Sequence, residues 1–459
     1  MKRSMATAGL ALGLSMSALP ANAYVIQETG SGKEIAFRTL PHDFFLADAG
    51  SADLSGGAEF DALARAFQSW EDVPDSDARF SNLSAVDMGT SDIYSDGGLA
   101  GRDRKNLLAW VETDWAEGAA LIALTFTYYI ETSGKILEDD IVMNAVDYTW
   151  TTDDVLVLTD VESIAAHEIG HAYGLGHSLE DDATMYATAS QGETMKRSLS
   201  IDDMAAVQHS YPPGCCPKTK TQEALAFFGC SISPLTLSDA RAESKGAGLA
   251  VIALAIGAVV VTMRRRSSRR LTMLAAALLT LPFAASTANA SVARAMSLDD
   301  MARGSDSVVR GRVIWTQAMT LPGGAIVTLT EVEVEDVIAG DAPATITVVE
   351  PGGEPGDTGV GMLVSGTAKF EMGEEVVVFA EATRAGYAAH FPGAVRPTAM
   401  SQGKLRVVRE AGAPARLVRD LSGVTRVKAD AAEGWVPVAG DELDGISLDE
   451  LVERVTLAR

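Results

Sequence analysis

The sequence predicts an α+β domain near the N-terminus, apolar stretches of membrane length in the middle of the chain, and a second, β-rich domain at the end. Three observations lead there. Apolar residues recur at helical spacing around residues 60–70 and 161–173, with strand-like runs between them at 107–111, 121–130 and 136–144. Residues 246–263 hold 18 positions without a charge, and arginines follow them. From residue 291 the pattern changes to β-rich runs punctuated by Pro-Gly-Gly.

Residues 1–23 have the form of a secretory signal peptide. Lys2 and Arg3 precede an apolar stretch that ends in Pro20-Ala21-Asn22-Ala23, so the mature chain is expected to begin at Tyr24 and to be exported. Residues 34–40 alternate as a first strand. Phe60, Leu63, Ala64 and Phe67 then form one face of an amphipathic helix whose aromatic residues belong to a core. Gly134 marks a turn between the second and third strand-like runs.

The run His167-Glu168-Ile169-Gly170-His171-Ala172-Tyr173-Gly174-Leu175-Gly176-His177 holds three of the chain's six histidines, spaced HExxHxxGxxH. On a helix, positions i and i+4 share a face, so His167 and His171 present two imidazoles to one metal ion. Glu168, one step round, can reach a water molecule on that ion. Thr159 and Glu162 stand at capping-box spacing before the helix, and Val161, Ala165, Ile169 and Tyr173 form an apolar stripe away from the histidines. Gly174 can take a positive φ, end the helix and return His177 as a third ligand. Three neutral imidazoles with one open position make a catalytic zinc site, whereas a structural zinc is closed by four protein ligands. A lone histidine here would be read as core; three at this spacing are not.

The residues HEIGHAYGLGH, followed by Ser178 and by Met185-Tyr186, resemble the metzincin metalloproteases and, within them, the matrixin family. Residues 199–208 resemble that family's closing helix, and the similarity spans roughly 34–213. It implies a twisted mixed sheet with long helices over residues 24–213, zinc on His167, His171 and His177, and Glu168 as general base. It further implies Met185 as a packing floor, and an edge strand at 121–125, including Ala123 and Leu124, that receives an extended substrate. Tyr186 would line the pocket beside the scissile bond. Glu138, Asp139 and Asp140 fall where matrixins hold calcium, and oxygen ligands suit that ion. Two features depart from the animal pattern. No histidine lies between His42 and His167 to hold a second zinc, and no cysteine before Cys215 could form a cysteine-switch propeptide.

A formal net charge of −25 argues against nucleic acid as a partner, because an acidic surface repels phosphate. The three cysteines, Cys215, Cys216 and Cys230, are too few for a disulfide scaffold. Neighbouring Cys215 and Cys216 pair with each other only under strain, whereas either can reach Cys230.

Residues 214–245 read as a linker, 246–263 as a transmembrane helix and 264–270 as an Arg-rich cytoplasmic loop. Residues 271–290 form another apolar stretch, ending in Ala288-Asn289-Ala290 as residues 21–23 do. Either the chain crosses the membrane twice, or 271–290 is an internal signal peptide and two exported proteins share one reading frame. Both place the flanking domains outside the cytoplasm, anchored or released by processing. Residues 291–459 are expected to begin with a short helix (297–303). Strands follow at 308–316, 325–335, 344–350, 375–381 and 404–409, and a helix capped by Ser447 and Glu450 closes the chain. They suggest a small barrel or sandwich, with the OB fold among the candidates, and carry no catalytic constellation. The function expected is zinc-dependent endopeptidase action on exported proteins. The alternatives are an inactive, metal-binding, surface-anchored interaction protein, or a fusion of two exported proteins.

Overall fold

The computed structural model describes residues 23–216 and 291–459, apart from 82, 96–98, 154–156, 179, 187–191, 295, 410–413, 420–423, 431–433, 438–442 and 444. Among these no helix is long and apolar enough to cross a membrane. The expected signal peptide, the membrane segments at 246–263 and 271–290, the intervening loop and Cys230 lie outside the described residues.

One sheet organises the first half. Its strands are β1 (His42–Ala47), β2 (Phe80–Ser81), β3 (Ala85–Val86), β4 (Asn106–Val111), β5 (Ala123–Ile130) and β6 (Ile136–Asn144). The order is β5-β6-β4-β1-β2, with β3 also paired to β1. β1, β4 and β6 run parallel, and β5 is antiparallel to β6. β4 is buried at every position, as a strand covered on both faces must be. Residues 34–40 are not the first strand. Ile35, Ala36, Phe37 and Leu40 are buried, but the segment pairs only through isolated bridges, Glu28 with Glu34 and Ala36 with Lys135. Pro41 lacks the N–H a ladder needs, and the strand starts at His42, after it.

The helix expected over 60–70 is α1 (Ala58–Glu71), which buries Ala62, Leu63, Ala66, Phe67 and Trp70. It packs on α2 (Val161–Ala172), and Trp70 Nε1 donates to the Ala166 carbonyl at 2.8 Å. The cap of α2 is one residue later than the sequence suggests. Asp160, not Thr159, accepts from the Ser163 amide at 2.8 Å, because its carboxylate is also fixed by Arg197 at 2.7 Å. α3 (Ile201–Ser210) closes the first half with a Ser200–Asp203 capping box. The N-terminal segment is tied to it, since the amides of Ala23 and Tyr24 both donate to Asp202 at 3.0 Å. Cys215 is joined to Cys216, the pairing that the sequence reading allowed only under strain.

The second half opens on a strand, Ser291–Arg294, paired parallel with Val424–Asp430, and continues through α4 (Leu298–Gly304), β7 (Ser307–Thr320), β8 (Ile326–Ala339), β9 (Thr345–Pro351), β10 (Val360–Val364), β11 (Glu375–Ala382), β12 (Val395–Pro397), β13 (Lys404–Val408) and β14 (Arg416–Val418). The order β7-β8-β9-β12-β11-β13-β14, with β7 also bonded to β11, closes a small barrel. α5 (Leu448–Ala458), capped by Ser447, packs on α4 through Leu451 and Val455. β10 does not join this barrel. It pairs antiparallel with β5, so that a strand from the second half becomes the edge of the first sheet.

Candidate metal centre

α2 is buried along its whole length, and it presents His167 and His171 one turn apart on a single face. After it, Gly174 takes φ 83°, and the chain doubles back so that His177 faces the other two. The three Nε2 atoms converge, with separations of 3.2 Å (His171 to His167), 3.0 Å (His171 to His177) and 2.8 Å (His177 to His167). Among the described residues this is the one group of three or more His, Cys, Asp or Glu side chains able to hold a metal ion.

The surroundings set the tautomers. His167 Nδ1 donates to the Thr184 carbonyl at 2.7 Å, and His171 Nδ1 donates to the Leu175 carbonyl at 2.8 Å. With those protons outside, the Nε2 lone pairs of His167 and His171 point inward, toward His177 Nε2. Burial, then the neighbouring imidazoles and Lys196, holds His167 and His177 well below the usual histidine range, so both are neutral. Lone pairs gathered in this way repel unless a cation lies between them, and imidazole nitrogens converging from three histidines are a zinc donor set.

Glu168 is fully buried beside the cluster. Its Oε2 accepts from Thr125 Oγ1 on β5 at 2.6 Å, while Oε1 has no hydrogen-bond partner. Burial pushes its carboxyl up to about 7, against the hydrogen bond from Thr125. One oxygen is therefore fixed and the other has no hydrogen-bond partner. If the hydroxyl sets that orientation, Thr125→Val should lower kcat about tenfold with KM unchanged, and Thr125→Ser should restore it. Equal kcat for the valine variant and the parent would remove Thr125 from this role.

Beneath the histidines lies the turn Ala183–Tyr186, held by opposite charges from its two sides. The Asp203 carboxylate accepts from the amides of Thr184 at 2.7 Å and Met185 at 2.9 Å. The Lys196 ammonium, 1% exposed, donates to the carbonyls of Ala183 at 3.3 Å, Thr184 at 2.9 Å and Tyr186. The Thr184 carbonyl is thus shared by Lys196 and His167. Burial pulls the Lys196 ammonium down to about 8, with Glu193 and Asp203 opposing. Lys196→Met should weaken zinc binding about tenfold or more in competition with a chelator, because the carbonyl that orients His167 loses its anchor. An unchanged zinc affinity would show that the turn holds itself.

Of the residues proposed from the sequence, His167, Glu168, His171, His177 and Met185 are brought together. Met185 is buried, and a Cβ on Gly170 would lie 2.1 Å from its sulfur, so the motif's glycine makes room for this methionine. Ala123 lies on the side of β5 that faces α2, whereas Leu124 points into the cluster on the opposite face. Tyr186 is half-buried, and Ser178 Oγ donates to Asp202 at 2.6 Å. The carboxylates of Glu138, Asp139 and Asp140 do not converge. On a strand, neighbours alternate. Asp139 lies opposite Thr127 on the α2 side, while Glu138 and Asp140 lie opposite Tyr128 and Phe126 on the other. Glu138 accepts from the amides of Asp103 and Arg104, and Asp140 from that of Leu107. Thr125, Lys196 and Asp203 were not found by the sequence reading. The alternation of β5 put Thr125 on the same face as Ala123, but nothing local shows that a lysine is buried.

Residues 44–212 match the family model Peptidase_M10, described as Matrixin. Metalloendoproteinase 1-MMP of Arabidopsis thaliana is 46% identical over 70 residues, 14% of this chain and 19% of that one. Matrilysin of Homo sapiens is 37% identical over 65 residues, 14% of this chain and 24% of that one. Stromelysin-1 of Rattus norvegicus is 38% identical over 68 residues, 15% of this chain and 14% of that one. The chain thus spans a quarter or less of the length of each of these relatives. The histidine cluster and these similarities together support a matrixin-like metalloendopeptidase domain within residues 44–212.

Proposed function

We propose that this domain hydrolyses peptide bonds, with zinc held by His167, His171 and His177. The observation that carries the reading is the convergence of three Nε2 atoms beside a buried carboxylate with one unpartnered oxygen. Zinc bound there would supply Lewis acidity toward a water molecule and the scissile carbonyl. Glu168 accepts the proton of the attacking water at Oε1, with Thr125 holding Oε2, and returns it to the leaving amine. Met185 packs under the histidines and excludes water from below; it is no ligand, since a thioether is a poor partner for zinc beside imidazoles. An extended peptide lying along residues 121–125 would be gripped through backbone hydrogen bonds. Export directed by residues 1–23 would bring this activity to proteins outside the cytoplasm. The test is hydrolysis of a general protein substrate by the full chain, with a chelator abolishing it and added zinc restoring it. Hydrolysis indifferent to chelation would overturn the reading.

A further inference from the structure

The strand that touches the catalytic glutamate is held at both ends by the second half of the chain. Thr125 of β5 contacts Glu168, and from the next residue onward β5 is paired with β10: Phe126 with Val364, Thr127 with Leu363, and so on to Ile130 with Val360. Met362 uses its own N–H and carbonyl on Gly353, so the N–H groups of Gly361 and Leu363 face β5. Before β5, the carbonyls of residues 115–117 are taken by two arginines of the second half. Arg384 donates to Trp115, and Arg396, 3% exposed, donates to Ala116 and, at 3.0 Å, to Glu117.

The sheet face away from α2 is covered by the same half. Leu107, Ala109, Val111, Leu124, Phe126 and Tyr128 form one apolar cluster with Ile326, Met362, Val364 and Met400. A face this apolar, and a bare strand edge beside it, would not remain in water in a lone domain. Polar contacts fix the register. Glu354 accepts from the Gly30 amide at 2.7 Å and from Tyr129 at 3.0 Å, and Gly356 donates to Glu131 at 2.9 Å.

We propose that residues 291–459 are a clamp that completes the catalytic sheet, binding it through β10 and the shared core tightly enough to stay in place after the chain is cut between 217 and 290. The sequence around Ala288-Asn289-Ala290 has the form of a second export cleavage site, and a cut there would leave a chain starting at Ser291. The product would be a two-chain unit joined by sheet extension. The association follows from the geometry alone, whereas its effect on turnover rests on the peptidase reading.

The experiment uses the full chain with a recognition sequence for a specific protease inserted within 217–245. After cutting, the two fragments should co-elute in equal amounts on gel filtration, with zinc retained and kcat/KM within about twofold of the uncut chain. In the cut protein, Leu363→Pro removes an N–H that faces β5, and the fragments should separate, with turnover falling at least tenfold. Gly361→Val should act in the same way without altering an N–H, because a Cβ there would meet the Tyr129 ring at 2.7 Å. Fragments that part on cutting the parent chain would overturn the proposal. So would an isolated first fragment that turns over substrate as the whole chain does. Failure of the uncut, zinc-loaded chain to hydrolyse any substrate would overturn the peptidase reading and the coupling to turnover; co-elution would then still support the association.

Discussion

Glu168→Gln is expected to keep its zinc and to lose about 10²–10⁴-fold in kcat, the range over which a positioned general base contributes. The amide preserves the shape of the side chain and can still accept from Thr125 at 2.6 Å, so the site should not collapse. What disappears is the basicity of Oε1, the oxygen left without a partner. Metal analysis alongside steady-state kinetics on one peptide separates the two effects. A variant that loses zinc with its activity would mean that Glu168 is structural, and a variant within a few-fold of the parent would remove it from the chemistry.

The second large effect is expected at Gly174. Its φ of 83° lies where an L side chain is strained, and a Cβ there would stand 2.0 Å from the Ile35 carbonyl oxygen, which is backbone and cannot rotate away. The strain costs about 1–2 kcal/mol and the overpacking about 1–3 kcal/mol, so Gly174→Ala should lose about 2–5 kcal/mol of stability. The loss should also reach the metal. Gly174 is followed by Leu175, whose carbonyl orients His171, and by the turn that returns His177. Thermal unfolding with and without saturating zinc is the measurement. The expected result is a lower Tm together with a smaller zinc-induced rise than in the parent; a Tm equal to that of the parent would show that the turn tolerates a side chain.

Much of the site was legible because it is local. His167 and His171 stand four positions apart on a helix, and one left-handed glycine brings back His177, so spacing alone gathers the cluster. The disposition of the three acids was legible too. A strand over 136–144 already implies that Asp139 faces away from Glu138 and Asp140, whereas the resemblance to matrixins suggested a shared calcium. The cap of α2 was misplaced because Thr159 and Asp160 are both good caps, and the choice falls to Arg197, 37 residues further on. Residues 360–364 gave no signal of their own, being one short apolar run among many. Their place at the edge of β5 depends on the first sheet having an unpaired edge there.

The sequence by itself determined which histidines meet in the cluster and that Gly174 lets them do so, since those contacts are set by backbone geometry over about a dozen residues. Only the tertiary structure decided that Thr125 fixes one oxygen of Glu168, that Lys196 and Asp203 hold the turn below the histidines, and that the second half completes the first sheet. Those partners lie tens to hundreds of residues apart, and burial and strand edges, which no local pattern encodes, choose between them.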